Sequence, residues 1–400
     1  MLVKSSRIYT DEGLRSGFLS AEDGVFAGVL DTAKGEYEDY GNQRIIPGIF
    51  DTHNHGTNGY SLLGDMEGYD NLELIHAYLK SCASQGITSV FPTVTTKSEY
   101  LIKDIAKAAR GPLMGSEIVG IHSEGPWLNR VGEKGVWVSW PEVDIERAKT
   151  MVNDGDGLLK LVALAPEIEG IEPIIEYFQS QGIVLALAHS DMNYKQAAEA
   201  YNKRGLSVST HLGNVMTGIH HRDIGILGAS LLDDNVYNEI ICDGIHLCYE
   251  ILKLFFKTKD HSRFMMISDS TAFVGAPVGT YEDMFFGFTI TVTENGHVLS
   301  ETGRLLGPNK PLLHAIGNLV EHVELPLETV LKMAALNPCC KYGLDKVKGS
   351  ITKGKQADFV VISDDYKAVA TYVKGEKVFD DKVDKNLYNH NYGKGKFTPA

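Results

Sequence analysis

Residues 48–55 read GIFDTHNH, a short apolar lead that gives way to polar residues. Side chains alternate across a strand, so His53 and His55 point to the same face. The same design recurs seven times: GITSVFPT from 86, EIVGIHSE from 117, LKLVALAPE from 159, IVLALAHS from 183, LSVSTHLG from 206, YNEIICDGIH from 237 and RFMMISDS from 263. The runs begin 23 to 42 residues apart, the spacing of repeated strand–helix units. Between the first two, Leu72, Ile75, Leu79 and Cys82 recur at helical spacing and predict an amphipathic helix that stops at Gly86. Near-continuous apolar strands joined by helices form a parallel sheet buried on both faces. Eight of them favour an α/β fold closed as a (β/α)8 barrel, like that of triose-phosphate isomerase, over an open sheet. No Gly-x-Gly-x-x-Gly follows the first strand, which argues against a dinucleotide site.

The flanks have another texture. The first 48 residues are short strands with turns at Asp11-Glu12-Gly13, Glu22-Asp23-Gly24 and Tyr40-Gly41-Asn42, and Gly349–Asp380 repeats that pattern. Residues 1–48 and 349–385 are therefore expected to build one small β-sandwich domain, with the barrel over 49–348 and a surface tail over 386–400. At 43% hydrophobic and 22% charged, the 400-residue chain has ordinary globular composition and enough length for a core without disulfides. A net charge of −14 argues against a nucleic-acid partner and requires a local cation for any anionic ligand. MLVKSSRIYT lacks the apolar segment of a secretory leader, and no apolar run reaches 18 residues. With five cysteines and no Cys-x-x-Cys, the expectation is a cytoplasmic protein with no membrane partner and reduced thiols in its core.

The polar residues gather where barrels build active sites, at the C-terminal ends of the strands. His53 and His55 end the first strand, Glu124 the third, His189 the fifth, His211 the sixth and Asp269 the eighth, and His246 follows the seventh. All are of types that bind borderline divalent metals, and all but His246 end a strand. A lone buried histidine is usually a hydrogen-bonded core residue. Convergence from so many strand ends points instead to a metal centre. His122 faces the same way as Glu124 and is a candidate supporting partner. His220 and His221 lie in a loop, and His76, His261, His297, His314, His322 and His390 read as structural.

These segments resemble the amidohydrolase superfamily, and within it the N-acetylglucosamine-6-phosphate deacetylase family. PGIFDTHNHG is similar to the superfamily's first-strand metal motif. GIHSEGPWLN, LAHSDM, THLGNVM, CDGIH and SDSTAFVGAP resemble the deacetylases' successive strand ends in the same order. LNPCCKYGL followed by GSITKGKQADFVV resembles the closing segment, so the likeness spans roughly residues 1–380. It implies that Glu124, His189 and His211 are the principal metal ligands and that His53 and His55 hold a second ion, with Glu124 as bridge. It also implies that Asp269 is the catalytic carboxylate, that Asn214 and Val215 meet the sugar phosphate, and that Arg222 and His246 contact its phosphate. The family's Arg222 equivalent reaches across a dimer, so a homodimer is expected. The implied cofactor is one or two divalent ions per chain, zinc first, with iron, manganese or cobalt as alternatives. The implied partner is a small amino-sugar phosphate.

The chain departs from that family at three places. The family's carbonyl-polarising His follows the Glu-Gly-Pro-Trp motif; here the segment is Lys134-Gly135-Val136-Trp137, which places Trp137 at the substrate. Gly213-Asn214-Val215 stands for Phe-Asn-Ala, and Ser270 for Ala. These changes touch the substrate pocket and spare the metal donors. The expected reaction is removal of the N-acetyl group of N-acetylglucosamine 6-phosphate. Alternatives are a related substrate such as N-acetylgalactosamine 6-phosphate, a cyclic amide, or a catalytically dead sensor. Lys160 sits at the start of the fourth strand, the wrong end for a carboxylated-lysine bridge. No Gly-x-Ser-x-Gly elbow offers a serine nucleophile.

Overall fold

The computed structural model describes residues 1–66, 68–129, 141–282 and 287–392. Eight parallel strands follow one another in space as they do in sequence: Ile49–Asn54, Ile87–Thr95, Ile121–Glu124, Leu159–Leu164, Val184–Leu187, Val208–Ser209, Tyr237–Ile240 and Phe264–Met266. The ring closes where Asp269 N–H donates to His53 O and His55 N–H to Ser270 O, both at 2.9 Å. First and eighth strands thus meet at their functional ends, as the eight-run pattern predicts. Phe50, Phe91, Leu161, Ala186, Val208 and Met265 fill the barrel interior.

A helix follows each strand, from Asn71–Ala83 after the first to Leu312–Glu321 after the eighth. The first matches the predicted stripe and has a local cause for its start. Asp70 accepts from the Glu73 N–H while the Glu73 carboxylate takes the Asp70 N–H, satisfying two donors the helix leaves open. Leu74, Ile75, Tyr78 and Leu79 then face the strands, each contributing about 1.5–3 kcal/mol by leaving water.

The chain ends share one eight-stranded mixed sheet. Arg44–Pro47 pairs antiparallel with Phe359–Ile362 and parallel with Leu2–Thr10. Three strands separate Phe359 from the edge strand Val25–Leu30, a path of roughly 19 Å in a flat sheet. Yet the Phe26 and Phe359 rings lie 6.2 Å apart, and Phe26 N–H donates to Lys355 O at 2.8 Å. The sheet therefore curls until it faces itself, which produces the two layers of a sandwich.

Lys348 fastens this domain to the barrel. Buried, it sits 2.5 Å from both Glu117 and Asp358 and donates to Ser89 Oγ at 3.1 Å. Burial works against the Glu117 charge, but Lys348 and Lys374 overcome it and hold the carboxyl at about 2. Lys348→Met is expected to cost about 3–5 kcal/mol, because it takes from buried Asp358 its only cation among the described residues and leaves Glu117 with Lys374 alone. Denaturant unfolding measures this, and a loss below 1 kcal/mol would show the network to be idle. Glu117's contribution is complete above its unfolded pKa of about 4.3. It disappears as pH falls towards 2, so acid should erase part of the difference between wild type and variant.

Three features were not anticipated. A four-stranded antiparallel sheet, Gly279–Glu282, Thr289–Val292, His297–Ser300 and Leu305–Pro308, is inserted between the eighth strand and its helix. The segment around Asn389 packs back on the barrel: Asn389 is buried, with its N–H on Asn58 O and its amide on Gly59 O. Cys82, Cys242 and Cys339 are buried free thiols, but Cys248 and Cys340 are exposed and fill no core. Among the described residues, no helix is long and apolar enough to cross a membrane.

Candidate metal centre and active site

The strand ends converge as their spacing requires. His53 and His55 leave the first strand on one face, and their Nε2 atoms lie 3.1 Å apart. His189 and His211 meet from the fifth and sixth strands, also with Nε2 atoms 3.1 Å apart. Glu124 stands between the pairs. Its Oε1 is 3.0 Å from His189 and 3.1 Å from His211; its Oε2 is 3.1 Å from His55 and 3.7 Å from His53. Asp269 faces the first pair, with Oδ1 3.4 Å from His53 and 3.6 Å from His55.

Backbone conformation aims three of these side chains. His189, His211 and Asp269 have φ of 46°, 30° and 47°, left-handed values that cost a non-glycine residue roughly 1–3 kcal/mol each. At these points each strand turns off the barrel wall. Val215, a β-branched residue at φ 48°, carries the same strain in the turn after His211.

The donors fit a divalent ion. His53 Nδ1 faces the Glu239 carboxylate at 3.3 Å, and His55 Nδ1 faces Thr93 O at 3.1 Å. Both partners are acceptors, so each Nδ1 carries the proton and each Nε2 presents a lone pair. Two such nitrogens 3.1 Å apart repel unless a proton or a metal ion lies between them. Zinc–nitrogen bonds in a tetrahedral site put neighbouring nitrogens ~3.3 Å apart, close to what is seen. Burial opposes a charge on His53, but Asp269 and Glu124 outweigh it and raise its pKa. The neighbouring imidazoles, against the burial of both carboxyls, hold Glu124 and Asp269 below their usual range.

The supporting residues are mostly ones that sequence reading misses. Glu239, inside the seventh strand, is buried and also accepts from Thr52 Oγ1 at 2.9 Å. Asp51 accepts from Ser268 Oγ at 2.6 Å and Asn54 Nδ2 at 3.0 Å, tying the first strand to the eighth. Glu167 takes hydrogen bonds from Asn129 Nδ2 and Ser190 Oγ, both at 2.8 Å, and so links three rim loops. A charged residue within an apolar run is the signal that finds Glu239 and Asp51. His122 does stand behind the site: its ring is 4.5 Å from that of His53, and its Nδ1 is 3.1 Å from Thr52 O.

The residues expected to meet the substrate lie on separate segments. Asn214 caps the turn after the sixth strand, its side chain donating to His211 O at 3.2 Å. His246 Nδ1 is 2.7 Å from Asp243, which leaves Nε2 as its other polar atom. Arg222 is exposed on the loop that carries His220 and His221. Trp137 lies outside the described residues. Lys160 is exposed at the far end of its strand, away from the rim.

The sequence profile of the amidohydrolase family matches residues 44–379. The chain belongs to the amidohydrolase family. This amidohydrolase is 31% identical to the N-acetylglucosamine-6-phosphate deacetylase of Vibrio furnissii, over 84% of this chain and 83% of that protein. It is 27% identical to an N-acetylgalactosamine-6-phosphate deacetylase of Escherichia coli O157:H7, over 94% and 98% of the two chains. The crystal structure of N-acetylglucosamine-6-phosphate deacetylase from Pasteurella multocida superposes with a TM-score of 0.83 at 27% identity, covering 94% of this chain and 99% of that one.

Proposed function

We propose that this amidohydrolase removes the acetyl group of N-acetylglucosamine 6-phosphate, giving glucosamine 6-phosphate and acetate. The observation that carries the reading is Glu124 set between two histidine pairs with Asp269 opposite, in a chain whose relatives bear deacetylase names. His189, His211 and Glu124 would hold one divalent ion, zinc first, and His53 and His55 a second that shares Glu124. A divalent ion at such donors acidifies water and polarises a carbonyl. The protein's own part is proton transfer. Asp269 takes a proton from water as the water oxygen bonds to the acyl carbon, then gives it to the nitrogen as the C–N bond breaks. The products are a carboxylic acid and a free amine, with no covalent enzyme intermediate.

Acetate release from a panel of acetylated hexosamine 6-phosphates, with metal supplied, tests this. A preference for the gluco sugar supports it, and no release from any of them refutes it. N-acetylgalactosamine 6-phosphate is the second arm, favoured by the Escherichia coli relative and by Gly213-Asn214-Val215 in place of Phe-Asn-Ala. A cyclic-amide substrate is disfavoured by the position of Lys160.

The phosphate falls to Asn214, Val215, His246 and Arg222, with Arg222 supplied from a second copy in a cytoplasmic homodimer and Trp137 against the sugar. An exposed arginine on a chain of net charge −14 suits a dianion, because its fork binds two oxygens at once. Arg222→Ala is expected to raise KM for a phosphorylated sugar about 10- to 100-fold, the worth of a charged hydrogen bond. An unphosphorylated analogue should be unaffected. Equal effects on both would remove Arg222 from the phosphate site.

A further inference from the structure

The inserted sheet reaches the active site. Its last strand, Leu305–Pro308, runs over the turn that carries Asp269: a Cβ built on Gly307 would stand 3.4 Å from Thr271 Cγ2 and 3.6 Å from Asp269 O. Asn309 locks this approach, donating from its amide to Phe273 O at 2.7 Å and Ala276 O at 3.1 Å. Arg304 stands just before the strand on a fixed backbone, with its O accepting from Ser300 N–H at 2.8 Å and its N–H donating to Ser300 Oγ at 3.1 Å.

The Arg304 guanidinium is partly buried and has neither ion pair nor hydrogen bond among the described residues. The other partly buried arginines are engaged: Arg7 and Arg44 with Asp364, Arg147 with Glu99, Arg204 with Glu172, Arg263 with Tyr237. Burial lowers the pKa of Arg304, and the charge that opposes this is Glu124, the carboxylate between the histidine pairs. An unpaired, partly desolvated cation is costly to keep. This one is carried by the insert whose last strand crosses the Asp269 turn, and the carboxylate whose charge bears on it is Glu124.

We propose that Arg304 is a catalytic residue, whose guanidinium donates to the acetamide carbonyl oxygen and holds the negative charge that oxygen gains as water adds. The inference rests on the deacetylase reading. The charge moves from the C=O bond onto oxygen as the new C–O bond forms, and returns when C–N breaks; Arg304 keeps its protons throughout.

The test compares Arg304→Met and Arg304→Lys with wild type on N-acetyl and N-trifluoroacetyl glucosamine 6-phosphate, with metal content and melting temperature as controls. Removing one such donor typically lowers kcat about 10²- to 10³-fold. That loss is expected for Arg304→Met on the acetyl substrate, with metal and melting temperature unchanged. Lysine should restore part of it, and the loss should shrink on the trifluoroacetyl substrate, whose carbonyl needs less help. An unchanged kcat overturns the proposal. So does a rise in KM alone that vanishes without the phosphate, which would make Arg304 a phosphate ligand, and so does equal loss on both acyl groups with loss of metal, which would make it structural. If wild type releases acetate and the variants match it, Arg304 fails alone; if wild type releases none, the deacetylase reading fails and takes Arg304 with it.

Discussion

Asp269→Asn is expected to lower kcat at least ~10²-fold while the protein stays folded and loaded with metal. Positioned proton transfer contributes that much at its lower end. The amide has the size of the carboxylate but cannot take up the water's proton. The backbone bond from Asp269 N–H to His53 O does not involve the side chain, so the closure of the barrel survives. Asparagine also tolerates the left-handed φ of 47° better than most residues. Substrate should therefore still bind, and calorimetric titration with intact substrate would show it. A near-normal kcat would place the base elsewhere.

Glu124→Gln should have the wider effect on metal. Each carboxylate oxygen faces its own histidine pair, whereas a glutamine turns an N–H donor towards one of them and loses the charge. Outer partners of metal ligands are worth 10- to 100-fold in affinity. A shared ligand should exceed that, with more than ~100-fold weaker binding and less than half the wild-type metal per chain. His211→Ala touches a single pair and should leave the His53–His55 position occupied. Metal counting on both variants separates the cases, and two ions retained in Glu124→Gln would show that the carboxylate is not a bridge.

The candidate metal donors are legible in the sequence because each is a polar residue ending an apolar run, and a parallel barrel maps every run's end to one rim. His53 and His55 need only the two-residue period of a strand. Glu239 is hidden by the same logic: it sits within its run, where side-chain direction rather than position decides its role. The inserted sheet is invisible because its four-residue strands mix polar and apolar residues and sit in no longer apolar run. Arg304 follows Thr302 and Gly303 in a tight turn, where an arginine looks like a solvated surface residue. Only the return of Leu305–Pro308 across the Asp269 turn brings this segment towards the site.

The shared sheet of the chain ends also sets a timetable for synthesis. Arg44–Pro47 waits for Phe359–Ile362, about 300 residues later in the chain. A ribosome adding 5–20 residues per second takes roughly 15–60 s to cover that distance. Meanwhile the N-terminal strands present an unpaired, apolar edge of the kind that recruits other chains. The domain cannot close until Phe359–Ile362 has been made, after every strand of the barrel. Newly made chains should depend on a holdase or on dilution, and truncations that lack Phe359–Ile362 should aggregate even though every metal donor is present.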